Sequence, residues 1–142
     1  MHWSVTHLLF GDRYKTFRFR AAFVLYVLIV VLGSIPGARA DVGRVASGLV
    51  LHGLAYSIIT FLLFTGSNGH PTGKALRAWL SVAIMGALDE FAQSFFPYRN
   101  AAVGDWAVDV AASFFTVFLL WIFSLKNTPT DSLQHDKKVG GE

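Results

Sequence analysis

Four long apolar runs constrain the fold of this chain more than any other feature. They cover roughly residues 21–35, 46–65, 75–96 and 103–125. Most of them approach the length of about 20 residues that a helix needs to cross the hydrocarbon core of a bilayer. Charged residues make up only 15% of the chain, whereas a soluble domain usually has about 25%. The sequence therefore predicts an all-α polytopic membrane protein with four transmembrane helices.

The first run is short, and two interpretations of it are open. Phe17 and Phe19 extend it backwards past Arg18 and Arg20, whose side chains can reach the lipid headgroups from a spanning helix. Alternatively, the basic residues, the apolar core and the small residues around 38–40 resemble a cleaved signal peptide. Because further apolar runs follow, and multi-span proteins usually keep their first helix, we favour a membrane span.

The positions of the basic residues predict how the chain lies in the membrane. Most of its 12 Lys and Arg residues lie before the first run, near the loop between the second and third runs, and after the fourth. Because positively charged segments stay in the cytoplasm, both termini are predicted there. The loops around residues 37–45 and 97–104 then face outward. Residues 1–20 form a cytoplasmic segment, residues 21–125 the membrane domain, and residues 126–142 a disordered cytoplasmic tail.

The composition excludes several kinds of site. The chain has no Cys, and therefore no disulfide, no thiolate metal site and no Cys nucleophile. Its net charge of +3 is modest, and its basic residues flank the apolar runs. That pattern is typical of membrane orientation rather than of nucleic-acid binding. We therefore predict no nucleic-acid partner, and nothing in the sequence points to a cofactor.

Polar and ionisable residues fall within three of the apolar runs at a common depth. At the helical rise per residue, Glu90 lies roughly 10 Å from the outer end of its run, His52 roughly 12 Å and Asp109 roughly 8 Å. Gln93 lies closer to the same end. Ionised groups are costly in hydrocarbon and are usually functional where they occur. Three helices are therefore predicted to bring these side chains together in the outer half of the bilayer.

Further candidate residues share helix faces with these side chains or lie beside them. Tyr56 follows His52 by four residues, and Asp105 precedes Asp109 by four, so each pair shares a helix face. Arg99, in the third loop, is placed to pair with a buried carboxylate. Four of these candidate residues also have a purely structural interpretation. Asp105 can serve as a helix cap, Arg99 as a loop charge, His52 as a satisfied interior histidine and Tyr56 as a packing residue.

The same residues resemble the motif of the VanZ-like family of small bacterial membrane proteins. The second half of the motif is an ordered series, here Glu90, Gln93, Pro97, Arg99 and Asp105. The first half comprises a His with a Tyr four residues later and a Ser-Ile-Pro helix end, here His52, Tyr56, Ser34, Ile35 and Pro36. The resemblance covers roughly residues 21–125. It implies a multi-pass protein of the bacterial inner membrane with a cell-envelope role, since the family is named for a protein associated with teicoplanin resistance. Asp109 stands where the family usually has Asn, which makes the site more anionic.

Two functions are compatible with these observations. The first is an outward-facing membrane site that binds or processes an envelope lipid or a lipid-linked precursor. In it, Glu90 and Asp109 are the acid/base pair, and His52 is a proton shuttle or ligand. Arg99 then holds a phosphate or carboxylate headgroup. The remaining ligand-binding candidates are Gln93, Asp105 and Tyr56.

The second function is that of a non-enzymatic scaffold, in which the polar layer holds the helices together through interhelix hydrogen bonds. A divalent-cation site is a weaker third hypothesis, because no dense metal-binding motif accompanies the acids and the histidine. We therefore predict no metal. The sequence leaves the oligomeric state open.

Overall fold

A computed structural model of the chain describes residues 9–35, 48–97 and 103–126. After a short 3-10 turn at Asp12–Tyr14, four helices follow in the order α1 (Lys15–Gly33), α2 (Gly48–Gly66), α3 (Pro71–Gln93) and α4 (Val103–Lys126). No strand occurs in these described ranges. The prediction of an all-α protein is therefore confirmed.

Three helical stretches are long and apolar enough to cross a membrane: Asp12–Gly33, Gly48–Gly66 and Val103–Lys126. By length and composition these helices indicate a multi-pass membrane protein. Helix α3 is long enough, but charged residues at both of its ends lower its mean hydropathy, and it is not among the three. The fourth span therefore remains a prediction.

The helices run alternately up and down. The most extensive contacts join α3 to α4, α2 to α4 and α1 to α2, so that α2 and α4 form the centre of the bundle. One end, which we call the basic end, brings together the start of α1, the end of α2, the start of α3 and the end of α4. The opposite end, which we call the acidic end, contains Asp89, Asp105 and Asp109.

The distribution of side chains differs from that in a soluble bundle. The interior contains ionisable and polar groups, including Asp89, Gln93, Asp109 and Ser113, beside apolar residues such as Ile59 and Val82. Large apolar side chains cover much of the outside. On α3 and the turn that follows it they form a stripe, repeated every three or four residues: Leu76, Leu80, Ile84, Leu88, Phe91 and Phe95. Water would not stabilise such a surface, whereas lipid tails would.

Two kinds of contact set the spacing of the helices. Gly66 lies against the backbone of α1, where a Cβ atom would be 2.6 Å from the amide nitrogen of Phe19. Between α3 and α4, three indole N–H groups donate across the interface: Trp106 to the Ala83 carbonyl at 3.0 Å, Trp121 to Thr72 Oγ1 at 3.2 Å and Trp79 to the Val110 carbonyl at 3.3 Å. These bonds fix the register of α3 against α4.

Arg18 does not reach outward as the sequence suggested. Its side chain is buried and donates to the carbonyl oxygens of Thr65 at 2.8 Å and Gly11 at 3.0 Å. The Thr65 carbonyl belongs to the last turn of α2, which has no intrahelical donors left. Arg18, a residue of α1, therefore caps the C-terminal end of α2. This contact explains why α1 begins six residues before the apolar run that predicted it.

Candidate functional site

Buried polar side chains near the acidic end make hydrogen bonds between helices. The imidazole Nδ1 of His52 on α2 lies 3.2 Å from Oδ1 and 3.4 Å from Oδ2 of Asp109 on α4. The Tyr56 hydroxyl donates to Asp89 Oδ2 on α3 at 3.2 Å. We call the following set the polar cluster: His52, Tyr56, Asp89, Gln93, Asp105 and Asp109. All six lie on α2, α3 or α4.

Helical periodicity explains why these residues meet. Each helix contributes two members separated by four residues, which places both on one face. His52 and Tyr56 come from the first half of α2, and Asp105 and Asp109 from the first two turns of α4. Since α2 and α4 begin at the same end of the bundle, their first turns are at similar heights. Asp89 and Gln93 complete the cluster from the last turns of α3.

Small residues allow the acids to lie this close to a neighbouring helix. A Cβ atom at Gly86 would be 3.2 Å from Asp109 Oδ2 and 3.1 Å from the Trp106 ring. A methyl group there would crowd the Asp109 carboxylate. Glycine at this position therefore brings α4 against α3 where the acids meet, a contact that the sequence analysis did not identify.

Four of the seven sequence-predicted site residues are buried in the cluster, and a fifth is largely enclosed. Tyr56, Gln93, Asp105 and Asp109 are buried, and the side chain of His52 is 12% exposed. Glu90 is only partly buried. Arg99, together with most of the loop that precedes α4, lies outside the described residues.

Asp89 is the acid that sequence reasoning passed over. It is 1% exposed, whereas the adjacent Glu90 lies farther round the helix. The signal for this choice was present, because Asp89 shares a face with Gln93 and follows Val82 by seven residues. Val82 lies on the buried side of α3. Asp89 is on the same side of the helix and therefore points inward, whereas Glu90 does not.

Two acceptor atoms in the cluster remain without a donor among the described residues, namely Asp89 Oδ1 and Gln93 Oε1. Both side chains are at least 98% buried. A buried acceptor with no donor costs about 1–3 kcal/mol. Such atoms are satisfied by water, by a proton on the carboxylate or by a ligand that presents N–H or O–H groups. The cluster is therefore suited to a ligand with hydrogen-bond donors.

The pairing of His52 with Asp109 also has chemical consequences. When the Asp109 carboxylate is ionised it only accepts hydrogen bonds, so Nδ1 then carries a hydrogen and donates a hydrogen bond to Asp109. In the neutral ring the lone pair is then on Nε2. A carboxylate that orients an imidazole in this way is a recurrent arrangement for general-base catalysis. Asp105 and Asp89 lie near enough for their charges to act on the same ring.

A metal centre is a different use of acids and histidine. In the part of the chain that the structure describes, no group of three or more His, Asp or Glu side chains is arranged to hold a metal ion. The geometry that is present consists of side-chain pairs rather than a coordination shell.

The class of protein follows from these features: a multi-pass helical membrane protein with a buried polar cluster at one end. No protein-family model matches the chain, and no curated protein or solved structure is similar to it. The VanZ-like resemblance therefore rests on the motif residues alone.

The Tyr56–Asp89 bond yields a stability prediction. Changing Tyr56 to Phe removes one oxygen and leaves both oxygens of the buried Asp89 carboxylate without a donor among the described residues. We expect the free energy of unfolding to fall by about 1 kcal/mol, measured by thermal melting in detergent. Tyr26→Phe is the matched control, because Tyr26 packs on the same core and its hydroxyl makes no hydrogen bond with the described residues. Equal losses of stability in Tyr56→Phe and Tyr26→Phe would contradict the hydrogen bond between Tyr56 and Asp89.

Proposed function

We propose that this chain is a four-span protein of the bacterial inner membrane, with both termini in the cytoplasm. Its polar cluster binds or processes the headgroup of an envelope lipid or a lipid-linked precursor. The single observation that carries the proposal is the His52–Asp109 pair, enclosed by apolar helices and adjoining two unsatisfied acceptors.

The surface of α3 supports the fourth span. Its exposed apolar stripe runs from Leu76 to Phe95, about 28 Å at the helical rise per residue. The hydrocarbon core of a bilayer is about 30 Å thick. The charged residues that lower the hydropathy of α3 lie beside the ends of this stripe or on the buried face. The basic end carries Lys15, Lys74 and Lys126, which supports a cytoplasmic location for that end.

The depth of the cluster supports a headgroup as the ligand. Gln93 and Asp105 lie within one turn of a helix end at the acidic end of the bundle. At that height a lipid presents its phosphate, hydroxyl, amine or amide groups rather than its tails. The unsatisfied oxygens of Asp89 and Gln93 then accept hydrogen bonds from hydroxyl, amine or amide groups of the ligand.

The assigned chemistry is acid–base catalysis or binding with a proton transfer. His52 Nε2 accepts a proton from a hydroxyl group or water, and Asp109 stabilises the resulting imidazolium. We assign the second acid to Asp89, which lies in the cluster, and place Glu90 beside it. Arg99, in the adjoining loop, is proposed as the partner of a phosphate or carboxylate.

The resemblance to the VanZ-like family supports the same setting. The ordered residues of its motif include Gln93 and Asp105, which the structure places inside the cluster, and Glu90 beside it. Membership in that family, which we propose on this motif, implies a role in the cell envelope.

A structural role is the second candidate, and a specific observation favours it. The side-chain bonds of the buried layer join different helices: His52 with Asp109, Tyr56 with Asp89 and, one turn deeper, Thr60 with Ser113 at 3.0 Å. Hydrogen bonds of this kind contribute about 0.6 kcal/mol each to membrane helix association. In this hypothesis the cluster is a set of interhelix bonds in a scaffold protein.

Native mass spectrometry of gently extracted protein distinguishes the two functions. We expect a copurified lipid on the wild-type protein and a loss of about tenfold in its occupancy in Asp109→Asn and His52→Gln, since both changes disrupt the charged pair that would hold it. Ser113→Ala is the matched control, because it removes an interhelix bond of the same layer outside the polar cluster. Melting temperatures are measured in parallel.

The outcomes separate clearly. Retention of the lipid in Ser113→Ala, with similar melting temperatures for all variants, supports a ligand site. If all variants lose stability equally and lipid occupancy follows stability, the polar cluster is structural and the proposed function is wrong.

A further inference from the structure

A cavity lies at the basic end of the bundle, opposite the polar cluster. Its volume is about 260 Å³. All four helices and the segment before α1 contribute to its wall. Its charged side chains are Asp12, Lys15 and Lys74, and its apolar side chains include Phe10, Leu120 and Phe123.

Positive charge dominates this cavity. The groups close enough for their charges to act on the Lys74 ammonium are the cations Lys15, Arg18 and Arg77 and one carboxylate, Asp12. Lys74 forms no ion pair with any described residue, and its Nζ atom lies 4.7 Å from the centre of the Phe64 ring. Four cations therefore share one acid, which leaves the cavity electropositive.

Existing contacts show which of these cations are available to a ligand. Arg18 is held by two backbone carbonyls, and Arg77 by the carbonyls of Gly73 and Asn68. Lys15 pairs with Asp12 at 2.8 Å, but the Asp12 side chain is 85% exposed, and an exposed pair of this kind adds little stability. Lys15 and Lys74 are thus the two ammonium groups that an incoming anion would meet.

We propose that this cavity binds the phosphate group of an anionic phospholipid. Lysine presents a compact charge that suits a phosphate, and basic pockets between membrane helices bind such headgroups. The apolar side of the cavity favours a lipid over a free anion. Phe10 and Phe123 pack against each other with ring centres 6.0 Å apart, and both are partly exposed. They provide a surface for the first methylene groups of an acyl chain.

This site is independent of the proposed function, since it uses the other end of the bundle and none of the residues of the polar cluster. The two sites also differ in charge. The polar cluster offers carboxylates and unsatisfied acceptors, whereas this cavity offers ammonium groups. A single lipid headgroup does not satisfy both.

The test is a titration of the full chain in neutral detergent with phosphatidylglycerol, or with phosphatidylcholine of the same acyl chains, followed by native mass spectrometry. We expect the wild-type protein to bind the anionic lipid about tenfold more tightly, and Lys15→Ala/Lys74→Ala to lose that preference. Arg13→Ala/Arg20→Ala is the matched control, because it removes two exposed charges from the same segment but leaves the cavity intact. Lys74→Met, which keeps most of the side chain, is expected to weaken binding about fivefold.

Each outcome is decisive. Loss of preference in the lysine variants but not in the arginine control supports the site. An equal loss of preference in both double variants would show that net charge alone attracts the anionic lipid, and would overturn the proposed site. Competition by inorganic phosphate at the same concentration as the lipid would identify a free anion as the ligand and overturn the lipid assignment. If the double variant does not fold, Lys74→Met decides, since its melting temperature should rise less than that of the wild type on addition of phosphatidylglycerol.

Discussion

Replacing Gly66 by alanine is expected to destabilise the bundle by about 2–3 kcal/mol, a large effect for one added methyl group. A Cβ atom there would lie 2.6 Å from the Phe19 nitrogen, 2.9 Å from its Cα and 3.0 Å from the Lys15 carbonyl oxygen. All three are backbone atoms, which cannot rotate away as a side chain would. Helix α1 would have to move away from α2, and the two bonds that Arg18 makes at this end would be strained.

The measurement is the melting temperature in detergent, together with the yield of folded protein. Gly73→Ala is the matched control, because it makes the same chemical change on α3 with nothing within 4 Å of the new Cβ. Since alanine favours helix over glycine by about 1 kcal/mol, this control should be neutral or stabilising. If Gly66→Ala melts at or above the temperature of the wild type, the close packing of α1 on α2 is wrong.

Replacing Ile84 by lysine is expected to prevent α3 from inserting into the membrane. Ile84 is 61% exposed and lies near the middle of the apolar stripe. A lysine at the centre of a spanning helix costs about 2.5–3.5 kcal/mol on the insertion scale. Helix α3 has the lowest hydropathy of the four helices. The favourable free energy of inserting its apolar residues is therefore too small to offset this cost.

Glycosylation mapping of the loop after α3 reports insertion directly. Leu76→Lys is the control, because Leu76 is 55% exposed on the same stripe but lies between Lys74 and Arg77, where an ammonium group reaches the interface. We expect normal insertion of the control and a loss of most insertion in Ile84→Lys. If Ile84→Lys inserts as well as the control, Ile84 does not face lipid at the centre of a span, and the assigned lipid-facing stripe of α3 is wrong. A wild-type protein whose loop after α3 is not glycosylated would contradict the four-span topology.

Much of the fold followed from the apolar runs, because a bilayer requires every span to satisfy its own backbone. The runs around residues 46–65 and 103–125 correspond closely to α2 and α4. Hydropathy alone did not place the start of α1, which lies among charged residues. Arg18 is tolerated there because it binds carbonyl groups of the chain itself, and that is a tertiary contact with no local signature.

The site was predictable where depth and periodicity determined it. The positions of His52 and Asp109 along their runs brought them to the same height, and the structure joins them by a hydrogen bond. The choice between Asp89 and Glu90 depended on which side of α3 faces α2, which required the whole pattern of buried residues. The role of Gly86 was hidden, since a glycine inside a helix does not indicate which helix it touches.

The indole bonds between α3 and α4 have a mechanical consequence. They make α3 and α4 one half of the molecule, while Gly66 and Arg18 join α1 and α2 into the other, and α2 packs extensively on α4 across the seam between the two halves. The polypeptide passes between the halves through a short connection in which Gly69 adopts φ of 107°. The bonds of His52 with Asp109 and of Tyr56 with Asp89 both cross the seam between the halves. Parting this seam would therefore break both of these bonds together with the packing of α2 on α4.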